Sequence, residues 1–150
     1  MTMLYTAKQA FVAALIVTGL ALAPALGHAQ SAPQPQQKYK VVLQVSDNDP
    51  AKWNLALNNA RNIQADLGKN NVDVEIVAYG PGLPMLKAES KVAARLAQAL
   101  DNSIGLMACE NTMRTTKVTK DDMYGGISYV DAGVVHIMKR QREGWAYIRP

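Results

Sequence analysis

The sequence predicts an α/β protein built on a five-stranded, mostly parallel sheet with helices on both faces. Short apolar, β-branched runs alternate along the chain with segments whose apolar residues recur every three or four positions. Residues that favour turns separate the two kinds of segment. Because each parallel crossover needs a helix to return the chain, this alternation predicts a parallel sheet between two layers of helices.

The first half of the mature chain predicts two strands and a long helix. Lys40–Val45 is a short apolar run typical of a strand buried on both faces. Asp49 followed by Pro50 is a strong helix start, because the aspartate accepts a hydrogen bond at the N-cap and proline needs no donor there. Gly68 stands where a left-handed cap would end this helix. Val72–Tyr79 is the second strand.

The middle of the chain predicts a break, a helix and a third strand. Gly80–Pro84 interrupts the second strand with residues that favour turns. An amphipathic helix follows from Val92 to Leu100 and ends near Asn102. Ile104–Ala108 is a third buried strand. Glu110–Thr119 is rich in threonine, a poor helix former, so any helix here is short and depends on tertiary contacts.

The C-terminal part predicts the last two strands and the helix between them. Ile127–Val130 is the fourth strand, and Asp131 can cap the helix that follows. Gly144 ends that helix, and Trp145–Ile148 is the fifth strand. The sequence shows no internal repeat and predicts a single domain over residues 38–150.

The N-terminus predicts an export signal over residues 1–29. Lys8 supplies the positive start, and Ala10–Leu22 is an apolar run of 13 residues without a charge. Small residues precede Gln30, which places the expected cleavage there. The run is shorter than the ~20 residues of a membrane span, so an uncleaved anchor is the less favoured alternative. Residues 30–37 contain four Gln and predict a flexible leader, so the mature protein is expected in the periplasm and not in a membrane.

Composition excludes several classes of protein. Hydrophobic residues make up 49% and charged residues 19% of the 150 residues, which is typical of a folded globular chain. A single cysteine excludes an internal disulfide framework and a zinc or iron–sulfur site with several cysteines. The formal net charge is +4, and acidic residues are interspersed with the basic ones, so the charge is too small to predict nucleic-acid binding.

Cys109 is the residue best suited to covalent chemistry. It follows the third strand, and ligands of such folds collect at the carboxyl ends of strands. If a helix begins here, its free amides and dipole favour the thiolate, the form that attacks disulfides or accepts sulfur. Glu110 opposes this, because a neighbouring carboxylate raises the pKa of a thiol. The alternative is a small buried hydrophobe, the usual role of a lone cysteine beside an apolar strand.

The other candidate sites in the sequence favour neither a cofactor nor a metal. Gly80 and Gly82 follow a strand, but the third glycine of a dinucleotide-binding loop is absent. Asp47 and Asp49 follow the first strand, where their carboxylates would repel the phosphate of a flavin mononucleotide. His136 is the only histidine after the predicted cleavage, and the sequence places no carboxylate pair near it, so it is interpreted as a surface or packing residue.

Two features near the C-terminus have ordinary interpretations. Lys139, Arg140 and Arg142 form a basic cluster followed by Glu143, which predicts a solvated helix face. The aromatic residues of the last strand either fill the core or contribute to a subunit interface.

Five segments of the mature chain resemble the DsrE/DsrF-like family, which is related to sulfur-oxidation and sulfur-relay subunits. In chain order these segments are Ser46–Trp53, Ala56–Asn62, Tyr79–Leu83, Ala108–Met113, and Gly133–Val135 with Gln141–Pro150. The resemblance implies a flavodoxin-like, three-layer α/β/α sandwich and a homotrimer or hexamer. It also implies that Cys109 matches the cysteine proposed to hold persulfide sulfur in the sulfur-transfer members. Those members act in the cytoplasm, so the sulfur donor or acceptor of this chain stays unassigned.

The sequence thus leaves two functions open. In the first, an exported protein handles sulfur or thiols by forming a persulfide or mixed disulfide on Cys109. In the second, the protein is a non-enzymatic module for ligand binding or assembly, and Cys109 is inert. In either case the residues expected around a pocket at the carboxyl edge of the sheet are Asn48, Gly80, Pro81, Gly82, Glu110, Asn111, Thr112 and Met113.

Overall fold

A computed structural model describes residues 37–150. The predicted export signal lies outside these residues, as does the predicted leader except for Gln37. The strands are β1 (Tyr39–Val45), β2 (Val72–Ala78), β3 (Gly105–Cys109), β4 (Ser128–Val130) and β5 (Ala146–Ile148). The α-helices are α1 (Pro50–Leu67), α2 (Ala93–Asp101), α3 (Glu110–Thr116) and α4 (Gly133–Arg142). Two 3₁₀ helices span Gly80–Leu86 and Lys120–Asp122.

The five strands form one parallel sheet in the order β4-β3-β2-β1-β5. The predicted flavodoxin-like, three-layer α/β/α architecture is therefore confirmed. The chain adds each of the first four strands beside its predecessor and then crosses the sheet to place β5 next to β1. This last crossover runs through α4, which is the one of the four described α-helices that packs on the second face of the sheet.

Alternating side chains divide the sheet into two faces. On the first face, Val41, Leu43 and Val45 of β1 belong to the main core with Trp53 of α1 and Leu96 of α2. On the second face, a smaller cluster joins Val42 of β1, Val77 of β2 and Ile137 of α4. The main core thus lies between the sheet and α1, α2 and α3.

Local capping determines where α1 begins and ends, as predicted. The Asp49 side chain accepts a hydrogen bond of 2.8 Å from the backbone amide of Ala51, and Pro50 occupies the first helical position. Gly68 follows the helix with a φ of 88°, a conformation that favours glycine. Both ends of this long helix are therefore encoded by neighbouring residues.

The structure differs from the predicted start of α4. The sequence predicts Asp131 as the N-cap, but Ala132 occupies that position and no side chain caps the helix. The backbone carbonyl of Asp131 instead accepts a hydrogen bond of 3.0 Å from the amide of Asn111, at the start of α3. The beginnings of α3 and α4 are thereby linked.

Within residues 37–150, no helix combines the length and the apolar character needed to span a membrane.

Candidate functional site

Cys109 is the last residue of β3, where neighbouring strands begin to lead to opposite faces of the sheet. The neighbouring strands β3 and β4 lead into helices on opposite faces of the sheet, because α3 packs on the first face and α4 on the second. The crevice between two such strands is the usual ligand site of open α/β sheets. Ala108 points into the main core, so the alternation along β3 directs Cys109 toward the side of α4.

The first residue of α4 makes a direct contact with this thiol. The backbone amide of Gly133 donates a hydrogen bond to the Cys109 sulfur, with an N···S distance of 3.3 Å. Gly133 also packs tightly on Tyr79, since a Cβ added to this glycine would lie 2.9 Å from the Cβ of Tyr79. Only glycine therefore lets the start of α4 approach β2 and β3 closely enough for this contact.

Thr112 connects the thiol to the segment that follows β2. Its hydroxyl oxygen accepts a hydrogen bond of 2.8 Å from the backbone amide of Gly80. The hydroxyl proton remains free to be donated, and the Thr112 side chain lowers the pKa of the Cys109 thiol. Thr112 thus connects the segment at Gly80 with the surroundings of the thiol.

These contacts shift the thiol toward its ionised form. Burial raises the pKa of Cys109, but the Thr112 hydroxyl and the amides of Gly133, Thr112 and Asn111 together lower the pKa below its ordinary value. The thiolate is therefore stabilised by neutral dipoles and not by a basic side chain. Glu110, which the sequence suggests as an opposing charge, instead pairs with Lys120 at 3.2 Å.

The thiol is nonetheless almost fully covered. Cys109 is only 4% exposed, which agrees with the interpretation of this residue as a small buried hydrophobic side chain. Tyr79 is one of its neighbours: burial raises the pKa of the Tyr79 phenol, and the charges of Tyr147 and Cys109 raise it further. Because Cys109 is both enclosed and surrounded by donors, burial alone does not decide between the two interpretations.

A cavity of about 530 Å³ lies next to this cluster, on the first face of the sheet. Its wall includes five of the predicted pocket residues, which come from three separate parts of the chain. These five are Asn48, Gly80, Pro81, Asn111 and Thr112. The remaining lining residues are Leu83, Pro84, Lys87, Thr115, Thr116 and Val118.

The other predicted residues lie outside the cavity wall. Met113 is 5% exposed and packs into the main core. Gly82 is buried against β1, where an added Cβ would lie 2.3 Å from the Val45 carbonyl oxygen. Glu110 is paired with Lys120, and Cys109 itself does not line the cavity. Asn111 and Thr112 are the predicted residues that both line the cavity and lower the pKa of the thiol.

Several residues at these sites have no signal in the sequence. Gly133 is 24 positions from Cys109, and no motif connects the two. Lys87 and Val118 enter the cavity wall from segments that the sequence does not link to it. Leu83 and Pro84 adjoin the Gly80–Gly82 turn, so extending the predicted wall along that turn would have included them.

A second polar cluster lies under α4, around Glu75 of β2. This carboxylate is 7% exposed; it lies 2.8 Å from Nε2 of His136 and accepts two hydrogen bonds, of 2.9 and 2.6 Å, from the guanidinium of Arg140. Arg140 also pairs with Glu143 at 2.8 Å, and its guanidinium lies 4.6 Å from the ring centre of Trp145. These contacts bind α4 to the sheet and raise the pKa of Arg140, chiefly through the hydrogen bonds to Glu75.

This cluster corrects one prediction. The basic cluster on α4, predicted to be a solvated helix face, is not uniformly solvated, because the Arg140 side chain is only 28% exposed. His136, interpreted as a surface or packing residue, packs against Glu75, 61 positions away along the chain. The sequence could not show this pairing, since it depends on α4 packing across β2.

The described part of the chain has no group of three or more His, Cys, Asp or Glu side chains placed to hold a metal ion.

No protein-family model matches the chain, and no curated protein matches it. Among the solved structures that resemble it are two proteins of unknown function. A protein of unknown function from Bacteroides thetaiotaomicron, BT1422, is 13% identical with a TM-score of 0.57; the match covers 74% of this chain and 94% of that one. At this identity the likeness shows the fold alone.

The second structure is a protein of unknown function, MTH1491, from Methanobacterium thermoautotrophicum. It is 37% identical with a TM-score of 0.72, and the match covers 75% of this chain and all of that one. Identity at this level over the whole of the other protein indicates common descent as well as a common fold. The chain therefore belongs to the same protein family as MTH1491.

Proposed function

We propose that this chain is an exported DsrE/DsrF-like protein that handles sulfur or thiols in the periplasm through Cys109. The observation that supports this proposal is the Gly133 amide, which donates to the thiol at 3.3 Å, beside a Thr112 side chain that lowers the pKa of the thiol. An inert cysteine packed as a hydrophobe needs no such donors, whereas a thiolate does.

The proposed reaction is transfer of a sulfane sulfur from a donor persulfide. The Cys109 thiolate attacks the terminal sulfur of the donor, RSSH, so that a new S–S bond forms at Cys109. The donor's S–S bond breaks, its thiol leaves as RS⁻, and the proton stays with the transferred sulfur. The electrons balance without an external oxidant, because one disulfide bond replaces another. The amide of Gly133 and the hydroxyl of Thr112 hold the attacking thiolate.

Alkylation kinetics test the reactivity of the thiol. Cys109 is the only cysteine, so iodoacetamide labelling followed by mass spectrometry reports on it alone. The folded protein is expected to react faster at neutral pH than a free model thiol, because the lowered pKa of Cys109 increases the thiolate fraction. Absence of labelling in the folded protein, with full labelling after denaturation, would contradict the proposal.

Thr112→Val, with Thr115→Val as its matched control, tests the role of the donors. Removal of the Thr112 hydroxyl raises the pKa of Cys109, so the midpoint of the pH–rate profile moves to higher pH. Thr115 lies on the same helix and its hydroxyl donates to the carbonyl of Asn111 at 3.0 Å, so its removal should leave the profile unchanged. Equal pH–rate profiles for the wild type and both variants would show that Thr112 does not stabilise the thiolate.

The intact mass of protein taken from the periplasm tests export and sulfur loading together. Cleavage before Gln30 predicts a chain that begins at that residue. One bound sulfur atom adds about 32 Da, which a reducing agent removes. A full-length mass, or a mass with no reducible adduct under any growth condition, would count against the corresponding part of the proposal.

The second candidate function is a non-enzymatic binding module in which Cys109 is inert. It is favoured by the 4% exposure of Cys109 and by a cavity of about 530 Å³ whose wall does not include the thiol. Cys109→Ser separates the two functions, because it abolishes sulfur loading in the first and leaves ligand binding unchanged in the second.

We also propose self-association, as a trimer or hexamer, through α4. Val134, Val135 and Met138 form an apolar stripe on this helix with exposed fractions of 60%, 40% and 52%. Light scattering after size exclusion tests this: Met138→Glu is expected to reduce the assembly size, whereas the control Gln141→Glu, on the same helix, is not. A monomeric wild-type protein would contradict it.

A further inference from the structure

We infer that the cavity beside Thr112 binds a small, mostly apolar organic molecule that has one acidic group. This inference goes beyond the proposed function, because it requires no reaction at Cys109 and no bond to sulfur. It follows from the volume of the cavity, from the way its polar groups are already used, and from its charge.

The cavity has the size and walls of a small-molecule site. Its volume of about 530 Å³ falls within the range of roughly 300–1,000 Å³ usual for such sites. Pro81, Leu83 and Pro84 form one wall, and Val118 lies among the lining residues on the α3 side. A ligand that fills this space would bury mainly apolar surface, which is the main source of affinity in pockets of this kind.

Most polar groups in the wall are already bonded to the protein. The hydroxyl of Thr115 donates to the Asn111 carbonyl at 3.0 Å, and that of Thr116 donates to the Thr112 carbonyl at 2.8 Å. The side-chain oxygen of Asn111 accepts a hydrogen bond from Arg114. A highly polar ligand, such as a sugar, would therefore find few partners, because burying polar groups without hydrogen bonds is unfavourable.

Among residues 37–150, Lys87 is the one charged residue in the wall, and no acidic residue of this range lines the cavity. Its ammonium group pairs with Glu89 at 3.1 Å, but the Glu89 side chain is 82% exposed. Such a surface pair contributes little and is readily exchanged. Asp122, the other nearby acid, accepts hydrogen bonds of 2.7 and 2.8 Å from the amide and hydroxyl of Thr119. Lys87 is therefore available to pair with an acidic group on a ligand.

The wall is held in place before any ligand binds. The amide of Gly80 is bonded to Thr112, and the absence of a side chain at Gly82 lets this segment pack against the Val45 carbonyl. The backbone of Lys87 forms an isolated bridge with Met123. A preformed pocket binds without the entropic cost of ordering its own residues.

Two fluorescent probes of the same shape test the inference. 1-Anilinonaphthalene-8-sulfonate has an acidic group, and N-phenyl-1-naphthylamine is its neutral counterpart. Titrated into the folded protein, the sulfonate should bind about two- to fivefold more tightly, in line with one partly exposed ion pair. Lys87→Gln should abolish this preference and leave the affinity of the neutral probe unchanged. The control Lys69→Gln, at an exposed lysine whose ammonium group donates to the Asp101 carbonyl, should retain the preference.

Two further variants test whether the probes bind in the cavity. Thr115→Trp adds a large ring to an exposed residue of the wall and should weaken both probes at least about tenfold by filling the space. Met138→Ser alters the apolar stripe on α4 and should change neither affinity. Equal affinity for the two probes, binding that survives Thr115→Trp, or binding lost in Met138→Ser would overturn the inference. Iodoacetamide labelling of Cys109 in the same samples is independent of these outcomes, so failure here is distinguishable from failure of the proposed function.

Discussion

The face of the sheet under α1, α2 and α3 and the face under α4 are stabilised by different interactions. The first face buries a continuous apolar core in which Ile76, Leu83 and Leu96 are at most 2% exposed. The second has, among the described residues, a smaller apolar cluster of Val42, Val77 and Ile137, and it depends on the charged cluster around Glu75. Apolar burial is therefore the main source of stability on one face, and hydrogen-bonded charges orient the single helix on the other.

The difference matters because the two candidate sites lie on opposite faces. The cavity lies on the first face, and Cys109 points toward the second, where α4 supplies the Gly133 amide. A contact that depends on the placement of one helix is sensitive to whatever holds that helix. The cavity wall, in contrast, belongs to segments anchored in the main core. Four substitutions test this contrast.

Ile76→Ala is expected to have the largest effect. Ile76 is fully buried in the main core, and its truncation should reduce the free energy of unfolding by about 3–4 kcal/mol. Urea denaturation measures this loss. Arg61→Ala, at an exposed residue of α1, is the control and should change stability by less than about 0.5 kcal/mol. Similar losses in both variants would contradict the assignment of the core.

Arg140→Ala tests the polar attachment of the second face. It leaves the buried Glu75 carboxylate without its guanidinium, and we expect a loss of about 2–3 kcal/mol because Arg140 is itself partly exposed. The neighbouring Arg142→Ala, at an exposed residue of the same helix, should be nearly neutral. If the two arginine variants unfold at the same urea concentration, the Glu75 cluster does not hold α4.

Gly133→Ala tests whether the position of α4 on the second face controls the pKa of the Cys109 thiol. Its added Cβ would lie 2.9 Å from the Cβ of Tyr79, so the start of α4 must shift, at a cost of about 1–2 kcal/mol. Displacement of the amide removes a donor to Cys109 and raises the pKa of the thiol, so the midpoint of alkylation moves to higher pH. Gly125→Ala, where an added Cβ meets nothing within 4 Å, should preserve the wild-type profile. An unchanged midpoint in Gly133→Ala would show that this amide does not stabilise the thiolate.

Asp122→Asn should have the smallest effect and depends on pH. Hydrogen bonds from the amide and hydroxyl of Thr119 lower the pKa of Asp122 in the folded protein. A lowered folded-state pKa stabilises the protein above the ordinary pKa of the carboxyl, and this contribution is lost as pH falls through the folded-state pKa. Thermal melts should therefore show a small difference between variant and wild type at neutral pH and none in acid. A difference that persists in acid would contradict this origin.

Predictability from sequence follows the range of the interactions involved. Asp49, Pro50 and Gly68 determine the ends of α1 through neighbouring atoms, so both ends were predictable. The start of α4 was not, because Asp131 is engaged by Asn111 from another helix. Met113 was expected at the pocket but packs into the core, since the register of α3 is decided by packing that no local pattern reveals.

By itself, the sequence determined the alternation of strands and helices, the parallel sheet and the position of Cys109 at the end of β3, because these follow from local periodicity and capping. Only the tertiary structure decided that the Gly133 amide donates to the thiol, that Glu75 meets His136 and Arg140, and that Lys87 faces the cavity. The physical reason is that these contacts join residues from separate elements. Their geometry depends on how the helices pack across the sheet, and spacing along the chain does not encode it.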